Sequence, residues 1–454
     1  MRDAGIHPRT IASFRRYYRQ LVSGETGLIP ETDLIPVDRL PRFEELGRYE
    51  MAGCAALAHT VVIKLNGGLG TSMGMNRAKS LVEVKNGASF LEIICRRILH
   101  LRSRYGMTIP LILMNSDHTR TDSIDTLNRY TALPVPGVPL DFLQNRVPKI
   151  RQADLLPASC PENEDLEWNP PGHGDIYNAL VISGCLDTLL KNGYHTAFIS
   201  NADNLGAELD PIILGFFISE HLTFLMEVAI RTDADRKGGH LARTRDGRLM
   251  LREIAQCCES DHPNFFDIRK HRYFNTNSIW IDLHHIHRMM DPADAFIDLP
   301  MIRNAKTLNP RDPGSIPVYQ IETAMGAAIS RFPRTGAIHV PRSRFLPVKT
   351  TNDLAGLRSD AYCLTADDRI VLDTDRTEGV ITELDNRFYR ILDDLTLRFP
   401  WGMPSLKDCE TWSVIGDVRF GRAIRLQGSV RIINETGEPR SIPDGSVLNG
   451  TIRL

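Results

Sequence analysis

The sequence predicts an α/β protein built on a mixed, mainly parallel Rossmann-like central sheet, followed by a small C-terminal parallel β-helix. Three observations predict it. Short β-branched runs alternate with stretches of helical periodicity across the middle of the chain. The first of those runs, Val61-Val62-Ile63, leads at once into a glycine-rich loop. After about residue 400 the texture becomes short β pieces broken by glycines five to seven residues apart.

Residues 1–58 read as a polar helical segment packed on the rest, with a helix near Ile11 to Val22. Gly27 to Pro41, rich in proline and acidic residues, reads as a wrapped connector. Residues 59–395 form the catalytic unit of this division. In it Phe90, Ile93, Ile94, Ile98 and Leu101 recur at helical spacing, and Leu111–Met114 is the next strand. Ile176 to Leu190 reads as one helix, with Ala197–Ser200 and Phe224–Ile230 as further strands. Residues 396–454 form the last unit. Its pieces run from Trp412 to Ile433 and from Ile442 to Ile452, punctuated by Gly416, Gly421, Gly428, Gly445 and Gly450. An ordinary meander is the rival reading of that stretch.

At 454 residues the chain is too long for one ordinary core. A net charge of -2 gives no general attraction to nucleic acid or anionic membrane, so an anionic ligand has to be held by a local cluster of basic groups. Eight cysteines without C-x-x-C spacing match neither a disulfide framework nor a zinc site, and read as reduced thiols. No stretch approaches the ~20 apolar residues of a membrane span, and the N-terminus lacks an apolar leader, so a cytoplasmic protein is expected.

The most informative segment is Lys64-Leu65-Asn66-Gly67-Gly68-Leu69-Gly70-Thr71-Ser72-Met73-Gly74, followed by Lys79. Glycines at 67, 68, 70 and 74 permit positive φ and close approach of the backbone to a ligand. Backbone N–H groups in such a loop cradle phosphate oxygens or meet a base edge, and Lys79 adds a point charge for a polyphosphate. A P-loop is rejected, because no glycine precedes Lys79-Ser80 in the required way. The dinucleotide fingerprint is also a poor match. The spacing is G-x-G-x-x-x-G, and no acidic residue follows the second strand.

Together with further motifs, this loop resembles the UDP-glucose pyrophosphorylases (UTP–glucose-1-phosphate uridylyltransferases) of the eukaryotic type. The matching stretches are Phe142-Leu143-Gln144, Trp168 to Asp175, Ser200 to Gly206, Lys237-Gly238-Gly239, Phe274 to Asn277 and Pro341 to Lys349, in that family's order over roughly residues 60 to 360. Two departures stand out: Arg77-Ala78 where most members have Gly-Pro, and Ser278 where a second asparagine is common. The resemblance implies a GT-A-like sheet. It also implies transfer of the uridylyl group of UTP to glucose 1-phosphate with Mg2+ and release of pyrophosphate, by a single displacement with UTP bound first.

Site residues follow from the same resemblance. Lys349 is implied as the main catalytic cation and Lys79 as the clamp on the β- and γ-phosphates; the rival for Lys349 is a solvated basic loop that also holds Arg342 and Arg344. Asp203 is implied as the Mg2+ ligand, against a plain turn or N-cap aspartate. Leu65, Asn66, Gly67, Gly68, Gln144, Gly172 and Asn201 are assigned to UTP, with Gln144 offering donor and acceptor to the uracil edge. His173 is assigned to the sugar phosphate without a general-base role. Gly239, Glu253, Asn275, Thr276 and Asn277 are assigned to glucose, and a bulge within a strand is the rival for 275–277. The alternatives are a broad UDP-sugar enzyme, an NAD-binding oxidoreductase or a catalytically silent binding protein. The small-molecule substrates are the only partners expected, and the chain is read as a monomer.

Overall fold

The computed structural model describes residues 1–290 and 295–454. Its centre is a ten-stranded sheet. The strands are β1 (Leu34–Pro36), β2 (Thr60–Asn66), β3 (Leu111–Asn115), β4 (Asp141–Leu143), β5 (Thr196–Asn201), β6 (Phe224–Ile230), β7 (His240–Thr244), β8 (Leu249–Arg252), β9 (Tyr273–Asp282) and β10 (Thr335–His339). One path through it runs β1-β7-β9-β5-β2-β3-β4. Strand β6 lies on the other side of β9 and carries β10 beside it, while β8 pairs with β7.

The sheet is mixed, and the expectation that it is mainly parallel holds only for part of it. β5, β2, β3 and β4 are parallel, as the strand–helix alternation requires. The long strand β9 runs antiparallel to both β5 and β6, and the β1, β7 and β8 additions are antiparallel too. No helical crossover separates β7 from β8, and β9 is entered through residues 253–272, whose only α-helix is the short His262–Phe265, so nothing constrains these strands to run parallel.

Alternate residues of the central strands face two different cores. Val62, Leu111, Leu113, Phe198 and Trp280 join one cluster. Val61, Ile63, Ile112, Met114, Ala197, Ile199 and Ile279 join the other. The strands are therefore apolar on both faces, which is why they read as continuous runs in the sequence. The helix Phe90–Tyr105 covers the first face. Ser89 and Glu92 form a capping box at its start, and Gly106 closes it at φ 63°.

Two elements depart from the sequence reading. The helix expected over Ile176 to Leu190 is two helices, Ile176–Ile182 and Cys185–Lys191, because Gly184 sits between them at φ 71°. The connector contains strand β1, a proline-bearing edge strand paired with β7. Nearby, the Glu31 carboxylate meets Arg252, Lys270 and His271, tying the connector to the sheet. The N-terminal helix spans Pro8–Val22 and is held by Tyr17, whose hydroxyl donates to the Leu299 carbonyl at 3.0 Å.

Toward the C-terminus the strands Ile381–Leu384, Ser405–Ile415, Arg425–Ile433 and Val447–Arg453 form one ladder, parallel throughout. Val418–Phe420 and Arg440–Ile442 pair in parallel as a second. Trp412, Phe420 and Val430 beneath the ladders belong to the same core cluster as Phe90 and Phe198.

Candidate active site

The carboxyl ends of β2, β3, β4 and β5 lie side by side, the edge of an open α/β sheet where ligands bind. Leu65 and Asn201 are register partners there, at the ends of β2 and β5, and both are half-buried. Asn66 is buried, and its amide donates to Asn115 Oδ1 and Ser123 Oγ, both at 2.7 Å. The amide nitrogen of that side chain is thus committed to the scaffold. Gln144 follows β4 directly, and its backbone N–H donates to the Asn115 carbonyl at 2.8 Å.

The loop glycines do not all work as expected. Of residues 67, 68, 70 and 74, only Gly74 has positive φ, at 78°. At Gly67 the reason for glycine is close approach: a Cβ would lie 2.4 Å from the Gln144 amide oxygen. Gly70 meets Met75 in the same way, whereas Gly68 faces open space. The loop is a hairpin closed by the Leu69–Ala78 bridge and by the Lys79 N–H on the Gly68 carbonyl at 3.1 Å.

That closure delivers Lys79 to Asp203. The Lys79 Nζ sits 2.6 Å from Asp203 Oδ2, with side chains 16% and 23% exposed. The other oxygen, Oδ1, is buried and has no hydrogen-bond partner. An orphaned carboxylate oxygen beside a lysine is a ready ligand for a hard cation. Among the described residues no group of three His, Cys, Asp or Glu side chains could hold a metal unaided. Mg2+ is commonly held by one or two carboxylates, water and substrate phosphates, and the unpartnered Asp203 Oδ1 is a donor of that kind.

The segment bearing Lys349 docks on the same turn. The Val348 N–H donates to the Asp203 carbonyl at 3.2 Å, and Asn204 bridges Pro347. Lys349 itself is exposed, with its Nζ 5.8 Å from the centre of the Phe274 ring. Its backbone N–H and that of Thr350 are both bound by Asp353 at 2.8 Å, which caps the helix Thr351–Arg358. The segments that carry Lys79, Asp203 and Lys349, 124 and more residues apart, thus meet at one turn, with the Lys349 ammonium over Phe274.

Gly172 has φ 78°, and a Cβ there would strike the Thr323 carbonyl at 2.4 Å, so only glycine fits. His173 accepts the Met325 N–H on Nδ1 at 2.9 Å. Its proton is therefore on Nε2, and burial lowers its pKa to about 4. The ring is a neutral hydrogen-bond donor.

On the opposite side, Gly239 and Glu253 face one another across β7 and β8; a Cβ on Gly239 would lie 2.5 Å from the Glu253 carboxylate. Burial raises the Glu253 pKa to about 6, while the Lys349 charge and a hydrogen bond from Asn275 oppose the rise. Asn275, Thr276 and Asn277 form a bulge in β9: Glu227 pairs with Ser278, and the adjacent Val228 pairs with Asn275. Asn277 takes φ 56°, and its side chain binds that of Asn275 at 2.9 Å. The Thr276 hydroxyl is committed to the Glu227 carbonyl at 2.7 Å.

Sequence reasoning missed several supports. Arg344 and Glu227 form a buried bidentate pair, 2.8 and 2.9 Å, and Trp280 Nε1 donates to the same carboxylate at 2.9 Å. Glu227 is hidden in an apolar run, which is why it went unread. Arg342 pairs with Asp235, so both arginines are structural. Lys64 is buried, donates to Ser200 Oγ and the Ala207 carbonyl at 2.7 Å each, and is lowered by burial to a pKa of about 7. It pins the turn that holds Asp203.

A glycine hairpin at the end of the first parallel strand, a carboxylate with one uncommitted oxygen paired to Lys79, and the Lys349 segment docked on the same turn define a nucleotidyltransferase-type site. Comparison with known proteins agrees. Residues 11–427 match the family model described as UTP–glucose-1-phosphate uridylyltransferase. The enzyme of that name from Solanum tuberosum is 39% identical over 391 residues, 86% of this chain and 80% of the relative. The one from Saccharomyces cerevisiae is 37% identical, covering 87% and 78%. Among solved structures, a UDP-glucose phosphorylase from Trypanosoma brucei superposes with TM-score 0.91 at 43% identity, over 100% of this chain and 98% of that one. A point variant of the Leishmania major UDP-glucose pyrophosphorylase in complex with UDP-glucose gives 0.93 at 42%, over 100% and 97%. The chain belongs to the UTP–glucose-1-phosphate uridylyltransferase family, and it is an enzyme of the nucleotidyltransferase class.

Proposed function

We propose that this chain makes UDP-glucose and pyrophosphate from UTP and glucose 1-phosphate by one direct displacement that depends on Mg2+. The observation that carries this reading is the meeting of the Lys79 and Lys349 segments at the half-committed Asp203. Both reactants are anions, so the obstacle is repulsion and the remedy is positioned positive charge. The Asp203 carboxylate would hold Mg2+, which supplies charge neutralisation at the α-phosphate. Lys79 then exchanges Asp203 for the β- and γ-phosphates, and Lys349 balances the charge that builds on the α-phosphate as the sugar phosphate attacks. The sugar phosphate is already ionised, so no base is required, and neutral His173 donates from Nε2 to a phosphate oxygen.

Gln144 and the main chain of Leu65, Asn66, Gly67, Gly68 and Gly172 surround the uracil, with Asn201 at the ribose. The face between Gly239, Glu253 and the 275–277 bulge takes the glucose hydroxyls. The sheet is of the GT-A type, and the parallel ladders are a small β-helix. The division falls after the N-terminal segment 1–58 and near residue 395, although Ile381–Leu384 already belongs to the C-terminal ladder. We read the protein as a cytoplasmic monomer; no helix among the described residues is long and apolar enough to cross a membrane.

The test is pyrophosphate release from UTP and Mg2+ with glucose, galactose and N-acetylglucosamine 1-phosphates in turn. Release with glucose 1-phosphate alone is expected. Equal release with several sugars moves the assignment to a broad UDP-sugar enzyme, and silence with all three refutes it.

A further inference from the structure

Asp175 is 3% exposed, and among the described residues no cation meets its carboxylate. All of its side-chain partners are on one residue: the Asn145 backbone N–H reaches Oδ2 at 2.6 Å, and the Asn145 amide reaches Oδ1 at 2.9 Å and Oδ2 at 3.0 Å. The Asn145 Oδ1 in turn accepts the Thr10 hydroxyl at 2.9 Å. Thr10, 3% exposed, lies in the N-terminal helix Pro8–Val22. That helix is seated independently by Tyr17 on Leu299 and by Arg9 on the Met290 carbonyl at 2.9 Å.

The positions of these residues matter more than their number. Asn145 is the residue after Gln144. Asp175 closes the Gly172–His173 turn, with its N–H on the Gly172 carbonyl at 3.2 Å. The far side of that turn is fixed by the Gly174 N–H on the Thr323 carbonyl at 2.9 Å. One carboxylate therefore sets the distance between two loops from different parts of the chain. A buried, unpaired carboxylate is a costly way to join loops, worth several kcal/mol of desolvation. What it offers over an apolar contact is fixed direction: two donor nitrogens of a single partner make three contacts to its two oxygens.

We propose that Asp175 and Asn145, braced from behind by Thr10, are positioning residues for the nucleotide base, setting the gap between Gln144 and the Gly172–His173 turn. This rests on the assignment of those two loops to the uracil. The N-terminal helix then acts on UTP affinity and not on the chemical step.

The experiment is steady-state kinetics on the full chain, resolving KM for UTP, KM for glucose 1-phosphate and kcat. Asp175→Asn should raise KM for UTP at least ~10-fold, with the other two constants within about 3-fold, on the scale of a charged hydrogen bond lost at a binding surface. Thr10→Val, which breaks only the outermost link, should raise KM for UTP about 3-fold, and Thr10→Ser should restore it. If Asp175→Asn fails to fold, the Thr10 pair carries the same test. In a Gln144→Ala background the Thr10→Val and Asp175→Asn effects should shrink to under about 2-fold, because the positioned group is gone. A uniform fall in kcat with both KM values raised overturns the proposal in favour of a structural role, as does an effect that multiplies fully with Gln144→Ala. A Gln144→Ala variant with unchanged KM for UTP instead overturns the uracil assignment beneath it.

Discussion

Replacing Arg344 with methionine should be among the most damaging single changes outside the reacting groups. The guanidinium gives two hydrogen bonds to Glu227, at 2.8 and 2.9 Å, and one to the Glu208 carbonyl at 2.7 Å. Glu227 is fully buried, and without Arg344 its carboxylate keeps only the Trp280 indole N–H. Methionine fills much of the volume but leaves an unpaired charge, which costs about 3–5 kcal/mol. Adding Glu227→Gln removes that charge, so the double variant should recover at least half of the loss. Equilibrium urea unfolding of the wild type, both single variants and the double variant gives the cycle. Arg344 also anchors the segment that ends in Lys349, so kcat/KM should fall together with stability in the single variant. A cost under about 1 kcal/mol, or a double variant no more stable than Arg344→Met, would refute the reasoning.

Lys349→Ala should lower kcat by at least ~100-fold while leaving the unfolding midpoint unchanged, since the side chain is exposed and the loss is one transition-state charge contact; near-normal turnover removes Lys349 from the mechanism. Asp203→Asn should raise the Mg2+ concentration needed for half-maximal rate, and an unchanged Mg2+ titration would place the metal elsewhere. Ala78→Pro should stabilise the loop by about 0.4–1 kcal/mol. Ala78 already has φ -54° and ψ 129°, and its N–H makes no hydrogen bond to lose. A lower melting temperature would show that the buried pocket around Ala78 cannot take the ring.

The parallel half of the sheet and its glycine loop were legible because both leave local marks: β-branched runs bounded by glycine, then helical periodicity. Lys79, Asp203 and Lys349 were legible only through motif resemblance, since nothing local announces that residues 79, 203 and 349 meet. The antiparallel strands β1, β7 and β8 were not legible. β1 is three residues of a proline-rich connector, and its register with β7 is decided by tertiary contact. The break at Gly184 was a local signal passed over, because apolar spacing continues across it. Glu227 reads as an anomaly in an apolar strand, and only its partner 117 residues away explains it.

The core that joins Phe90 and Phe198 to Trp412 and Val430 has a consequence for how this protein is born. Residues from both halves of the chain join that interior, so the apolar surface where the catalytic half meets the C-terminal ladders cannot be covered while those ladders are still inside the ribosome. At about 5–20 residues per second, synthesis of the last hundred residues leaves an interval of roughly 5–20 s in which the apolar surface shared with the ladders, at the helix Thr351–Arg358, stays uncovered. A stop codon before Trp412 would extend that interval indefinitely, giving a chain that carries every reacting group and still clumps instead of turning over.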